Sequence, residues 1–314
     1  MSQYILRRIL QAIPVLFFVS IAVFLMIRLI PGDPAHAILG DQALPDQVKL
    51  LNRQMGLDQP LHIQYIGWLG RAVRGDFGES LINDFEVMRM IRLKAPASIE
   101  LALASVLVAL VIAVPTGTIS AFRPRSWLSS AISFFNAVFY AVPTFWLAIL
   151  LGILFGLKLG WLPPSGHVPL TEDPARFFRF LILPALTLGV WLSTVLSRFL
   201  RTALLEVLNQ DYIRTARAKG LYERVIIFRH ALPNAMISMV TVLGLLLASL
   251  LGGAVVTEAV FDWPGLGRTL LDAILKRDYT MVQGIVLLIA FFFVMVNLLT
   301  DILYAFLDPR IHYQ

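Results

Sequence analysis

A chain of 314 residues that is 58% hydrophobic and only 15% charged departs from soluble domains, which average about 45–50% apolar and about 25% charged residues. It reads as an integral membrane protein. The absence of cysteine excludes disulfides and thiolate metal sites, and the net charge of +6 raises nucleic-acid binding as a question that the placement of the charges answers.

Crossing a bilayer as a helix takes roughly 20 apolar residues. Six runs come near or above that length: 9–30, 99–121, 131–157, 180–196, 236–256 and 281–306. The fourth is the shortest. None has the apolar–polar alternation of barrel strands, so the expected fold class is all-α, a polytopic membrane protein with six transmembrane helices. The first run follows Arg7 and Arg8, and Ala35-His36-Ala37 looks like a signal-cleavage site. A signal peptide's apolar stretch, however, has about 7–15 residues. This run is longer, and Pro31-Gly32-Asp33-Pro34 intervenes. It is expected to remain as an uncleaved span.

Residues 31–98 form a long, charge-balanced segment between the first two runs, helical in part. Within it, 46–55 fit a short helix with Gly56 as its C-terminal cap. Six crossings put both termini on one side. If that side is the cytoplasm, it receives 1–8, 122–130, 197–235 and 307–314, with twelve Lys and Arg against four acids. The opposite segments, 31–98, 158–179 and 257–280, hold thirteen against fourteen. Lys and Arg in short loops set orientation, and Arg7, Arg8, Arg123 and Arg125 lie in such loops. The positive charge is thus topological, which argues against nucleic acid as a partner. The expected organisation is an N-terminal transmembrane helix over 1–30, an external segment over 31–96, a five-helix membrane domain over 97–307 and a cytoplasmic tail over 308–314. The five-helix domain carries a cytoplasmic insert at 197–235.

Catalytic chemistry is missing from the sequence. A phosphate-cradling loop requires Gly-Lys followed by Ser or Thr. None of Lys49, Lys94, Lys158, Lys219 and Lys276 follows a glycine. No H-E-x-x-H or G-x-S-x-G occurs, and no metal site is expected. Charges within the runs are few: Arg28 and Glu100 near external ends, Asp301 near a cytoplasmic end. All three suit anchoring at an interface, and no carboxylate relay of the kind a proton pump needs is present. A self-powered transporter, an intramembrane enzyme and a self-contained channel are the less favoured classes.

The insert contains DYIRTARAKGLYERVIIFRHALPNA at 211–235. Asp211 suits an N-cap, because its carboxylate can accept first-turn amide protons. A helix over 212–219 follows, with Arg217 and Lys219 in its last turn, where cations suit the dipole. Gly220 fits the left-handed residue that ends such a helix. A second helix over 222–231 is expected to stop before Pro233. Ala216 and Gly220, four apart beside Tyr212, make a small-residue face. That face suits docking into a protein groove; an amphipathic helix resting on lipid headgroups is the alternative.

The insert resembles the EAA loop of permease subunits of ATP-binding-cassette (ABC) importers, whose signature is E-A-A, three residues, Gly, nine residues, then I-x-L-P. Gly220 and Leu232-Pro233 stand at the required spacing. Arg214 replaces the acid, Thr215-Ala216 the alanine pair and His230 the isoleucine. These departures match the peptide, nickel and glutathione branch, where DY-x-R-T-A-R-A-K-G is usual. The likeness runs the length of the chain: YILRRIL at the start, PGDP at 31–34, GLDQPL at 56–61 and GDFGES at 75–80. It continues in WLPPSG at 161–166, ILPALTLG at 182–189, WPGLG at 263–267, RDY at 277–279 and DPRI at 308–311.

The resemblance implies a type I ABC importer permease fold in a bacterial inner membrane. It implies that Asp211, Tyr212, Arg214, Thr215 and Ala216, with Arg217, Lys219, Gly220, Leu232 and Pro233, couple the chain to a separate ATPase. ATP and Mg would then sit on partner subunits, with no cofactor on this chain. Two ATPases, a second related permease and an external substrate-binding protein are the implied partners. The implied cargo is a di- or oligopeptide, with glutathione, nickel chelates and oligosaccharides open. Two further motifs have two readings each. Gly244, Ala248 and Gly252 form a small-residue stripe that packs helices closely or lines the pathway. Trp263, Pro264, Gly265 and Gly267 make a turn before a short helix at 269–276, and the turn also shapes the external mouth.

Overall fold

The computed structural model describes residues 2–28, 44–54, 59–80 and 82–307. PGDP, DPRI, Gly56 and the tail 308–314 lie outside these residues. Among the described residues the chain is helical, with one isolated bridge between Glu79 and Glu86. The helices are α1 (Ser2–Arg28), α2 (Pro45–Gln54), α3 (Leu61–Val73), α4 (Val87–Phe122), α5 (Trp127–Ala141) and α6 (Thr144–Leu151). They continue as α7 (Pro174–Leu208), α8 (Asp211–Ala218), α9 (Glu223–Val225), α10 (Leu232–Val260), α11 (Leu266–Leu275) and α12 (Tyr279–Leu307). The expected helix at 46–55 corresponds to α2. The boundary drawn at 96–97 falls inside α4, an unbroken helix.

The core is the α4–α7 pair. On α4, Ala97, Leu101, Ser105, Ala109, Ala113, Gly117 and Ala121 are buried at every fourth position. All but one are small, which lets two backbones approach where lipid offers no hydrophobic drive for association. The facing stripe on α7 is leucine-rich: Leu188, Leu192, Leu196, Leu200 and Leu204 are buried in the same cluster. A Cβ added at Gly189 would meet Val108 Cγ1 at 2.6 Å and Ser105 O at 2.8 Å. One at Gly117 would stand 3.0 Å from Ser197 O. Outward-facing Leu103, Leu107 and Val111 are exposed, as a lipid-facing surface requires.

The third expected span, 131–157, is not one straight helix. α5 and the following helix, α6 with its π-helical extension to Lys158, meet at 102°. The cause is Val142-Pro143. Proline lacks the amide proton a continuing helix needs, and it forces the preceding residue out of the helical region. Val142 accordingly has φ −74 and ψ 124. Among the described residues there are therefore five candidate spans, and a sixth if the bent pair counts as one.

α1 runs antiparallel to α12. Arg8 pairs with Asp301 at 3.3 Å at one end, and Gln283 Nε2 donates to Val23 O at 3.0 Å toward the other. The start of the first span and the end of the last thus lie on one side. α3 folds back along α1: Tyr65 and Ser20 hydroxyls are 2.8 Å apart, and the Phe24 ring sits 5.2 Å from that of Tyr65.

Candidate functional site

The insert begins later than its polar boundary suggests, because α7 continues helically to Leu208. A single buried side chain fixes the next helix, α8. Ile213 is fully buried against the core, and Ala216, one turn on, packs half-buried beside it. The opposite face is open: Tyr212, Arg214, Thr215 and Lys219 are exposed. Two expectations change here. Asp211 is not the N-cap. Gln210 holds that position, and Asp211 lies in the first turn, paired with Arg214 at 3.4 Å. Ala216 does not share an open face with Gly220, because its methyl group turns toward the chain's own core.

The end of α8 follows the sequence. Gly220 N donates to Arg217 O at 2.9 Å and Leu221 N to Ala216 O at 3.3 Å. This is the Schellman pattern, with Gly220 at φ +79. No atom lies within 4 Å of an added Cβ, so only backbone strain opposes a side chain there. Across the bend, Arg217 Nε donates to Glu223 Oε1 at 2.7 Å. Arg217 is thus a strut between the two limbs of the insert.

The second limb does not stop before Pro233. α9 passes into a π-helical turn, Ile226–Ala231, and then into α10 without interruption. The wide turn and the position of Pro233 at the start of α10 accommodate a residue that would otherwise break the ladder. Ile226, Ile227 and Ala231 are buried under it. Leu232 packs against the core, while Pro233 is exposed.

The far end of α10 carries a second constellation. Glu258, in the last turn, is 1% exposed. Its carboxylate accepts from Ser98 Oγ at 2.6 Å and from Arg268 N at 2.9 Å. Ser98 Oγ in turn accepts from Leu266 N at 2.8 Å. Trp263, wholly buried, donates from Nε1 to Ala97 O at 2.8 Å. The glycines of WPGLG now have reasons. Gly265 lies against the Glu258 carboxylate with no room for a side chain, and a Cβ at Gly267 would meet Val255 Cα at 2.6 Å. Neighbouring motifs join the knot. Ser80 of GDFGES donates to Asp278 of RDY, and Gly166 N of WLPPSG donates to Phe261 O at 2.8 Å. The His167 and Trp263 rings stand perpendicular to one another with centroids 4.6 Å apart. Burial holds the His167 pKa below its ordinary value, the Lys94 charge adds to this, and Glu172 partly offsets it.

Sequence reasoning located the turn but missed Ser98, Glu258 and Ile213, which hold the two ends in place. The available signal for Glu258 was a carboxylate ending an apolar run five residues before a tryptophan. Gly244 packs so closely on Thr300 of α12 that no side chain would fit, which favours helix packing over pathway lining. Ala248 and Gly252 lie on α10, with side chains outside the described residues. Among the described residues no His, Cys, Asp and Glu cluster could hold a metal ion.

This fold recurs in a chain from inward-facing structures of the MetNI methionine ABC transporter. The TM-score is 0.60 over 71% of this chain and 98% of that one, at 19% identity. Together with the family match that follows, this defines the class as a type I ABC importer permease fold. Residues 113–313 match the family model for the binding-protein-dependent transport system inner membrane component, and residues 1–102 match the corresponding N-terminal model. The chain belongs to that family. Among curated relatives, a putative peptide transport system permease of Brucella suis is 43% identical over 314 residues. An oligopeptide transport system permease of Bacillus subtilis is 39% identical over 316 residues. A glutathione transport system permease of Escherichia coli is 40% identical over 317 residues. Each alignment covers 100% of both chains.

Proposed function

We propose that this chain forms half of the translocation pathway of an ATP-driven importer of di- or oligopeptides. The observation that carries the coupling is the exposed face of α8, held rigidly by Ile213, the Arg217–Glu223 pair and the Gly220 cap. It is a short, firmly seated helix offered to a partner. ATP and Mg belong to two separate ATPase subunits that dock on this face. A second, related permease completes the pathway. The chain itself catalyses no reaction.

The knot around Glu258 serves the other side. An external surface built from 75–94 and 263–281 receives a substrate-binding protein. A cavity of about 270 Å³ between these segments, lined by Asn83, Lys94, Pro264, Arg268, Asp272 and Lys276 among others, supports that reading. Both termini and the insert face the cytoplasm of a bacterial inner membrane, as the Lys and Arg count favours. The peptide cargo rests on the names of full-length relatives. One of these names glutathione, itself a tripeptide, and nickel chelates and oligosaccharides stay as alternatives within the same architecture.

The test is purification of the native complex. Recovery of an ATPase, a second permease and a peptide-loaded binding protein is the expected result. A chain that purifies alone and conducts without ATP would overturn the proposal.

A further inference from the structure

The bend in the third span opens a cavity of about 370 Å³. Tyr140, Pro143 and Thr144 line it at the bend, and Leu188, Trp191 and Leu250 line the opposite wall. Its size lies within the usual range for small-molecule sites, about 300–1,000 Å³. Two aromatic rings and aliphatic groups make most of its wall.

A basic pair, Arg198 and Arg201, lies outside the lining of this cavity and is joined to it through Tyr140. Leu188, Trp191 and Arg198 share one face of α7, three and then seven residues apart, so the stripe that walls the cavity runs on to Arg198. The Arg198 guanidinium lies over the Tyr140 ring, 5.8 Å from its centre. Arg201, one turn further, donates from Nη1 to Ser133 Oγ at 3.2 Å, while its Nε is buried with no partner among the described residues. The segment 127–158, whose residues 140–144 form the facing wall, contains no Asp or Glu. Among the described residues no carboxylate pairs with either arginine; the ion pairs there use other cations. Between Arg179 and Arg198 the sequence carries no charge. That helical stretch spans roughly 27 Å at 1.5 Å per residue, which sets Arg198 at one edge of the hydrocarbon layer.

The wall is held in place before any ligand arrives. Asn136 Nδ2 donates to Ser197 Oγ at 3.2 Å, and the Thr116 and Ser197 hydroxyls are 3.0 Å apart, tying α4, α5 and α7 together beside the pair. A guanidinium offers a planar fork matched to a carboxylate. The Tyr140 ring supports the Arg198 cation through its π face without consuming those donors.

We infer that this cavity is a transit site for short peptides, in which the apolar chamber takes a side chain and Arg198, with Arg201, takes the C-terminal carboxylate. The inference rests on the peptide reading above and adds to it the group recognised and the residues that recognise it. The same fork fits a lipid phosphate, so the test separates the two sources.

Assembled complex in vesicles, supplied with binding protein loaded to equal occupancy, is compared for uptake of trialanine and of trialanine C-terminal amide. Wild type should import the acid about tenfold faster, the lower end of what one hydrogen bond to a charged group contributes. Arg198→Gln should bring the acid down toward the amide, and Arg198→Lys should restore part of the preference. Size-exclusion profiles establish that each variant still assembles, and the lysine variant keeps the test open if the glutamine variant does not. A preference that survives Arg198→Gln combined with Arg201→Gln overturns the inference. It also fails if Arg198→Gln slows both peptides equally, with a loss that grows with the phosphatidylglycerol content of the vesicles. That outcome assigns the arginines to headgroups. Import of both peptides at equal rates by wild type sinks this inference alone, whereas import of neither sinks the peptide reading with it.

Discussion

Gly220 and Ala216 looked alike in sequence and part company in space. At Gly220 a side chain would meet nothing, so Gly220→Val costs only its left-handed backbone, roughly 1–2 kcal/mol. It should insert and assemble, yet obstruct the partner face of α8. The expected readout is loss of substrate-stimulated ATP hydrolysis coupled to uptake, with permease pairing retained; full coupled activity would remove this loop from the dock. Ala216→Trp should behave differently, lowering the amount of assembled complex, because its side chain must displace the packing beside Ile213. Glu258 is the other decisive residue. Glu258→Ala leaves the Ser98 hydroxyl and the Arg268 amide without their acceptor, at roughly 3 kcal/mol. The detergent-solubilised complex should then unfold several degrees lower, and Ser98→Ala should show a smaller drop. His167 gives a pH signature. Its depressed pKa means that the folded state favours the neutral ring. The unfolded chain binds the proton near pH 6.5, so this stabilisation is complete above that value and fades as pH falls through the folded pKa. Thermal unfolding followed from pH 8 to pH 5 should show a slope that His167→Gln flattens.

At the scale of elements, hydropathy found the candidate spans of the described residues but only some of their shapes. An apolar run does not report where a helix ends. α7 extends a dozen residues past the fourth run because polar residues continue its turns without a breaker. The same blindness hid the bend at Val142-Pro143, where the sequence stays apolar through a 102° change of direction. The proline was visible, but proline alone does not separate a kink from a break. The dominant helix contact was equally hard to read. The three-residue stripe of Gly244, Ala248 and Gly252 stood out through its glycines, whereas the longer stripe on α4 consists mainly of alanines scattered among leucines and valines. Partner choice depended on α7, which sequence alone could not bring alongside. Close packing there yields a prediction. Gly189→Val would drive a side chain into Val108 and Ser105 O, costing about 1–3 kcal/mol. The yield of folded protein and its unfolding temperature should fall together. The insert was the most legible element, because its glycine cap is a local, geometric demand. Its second limb was misread where a π-helical turn let Pro233 pass.

At the scale of the molecule, the antiparallel α1–α12 pair puts the start of the first span and the end of the last on one side, and the proposal that this side is the cytoplasm can be tested. A cysteine at Asn209 should resist impermeant thiol reagents in intact cells, and one at Gln59 should react. The opposite pattern would invert the topology.

The continuity of the π-helical turn with α10 has a mechanical meaning. From Ile226 to Val260 the backbone is one unbroken helical rod, about 50 Å long at 1.5 Å per residue. Its lower end is wedged under the insert and its upper end is bolted to Ser98 and the loop at Gly265. A continuous helix of this length can carry a push from one end toward the other. On the function proposed above, a tilt imposed at the ATPase dock would reappear at the external mouth as a displacement of the same body, and the two ends would act as the arms of a lever. Two further glycines at Leu245 and Leu246, beside Gly244, would soften the rod at that point. Both ends should then stay folded while ATP hydrolysis persists and uptake stops, a slipping clutch made by softening one helix.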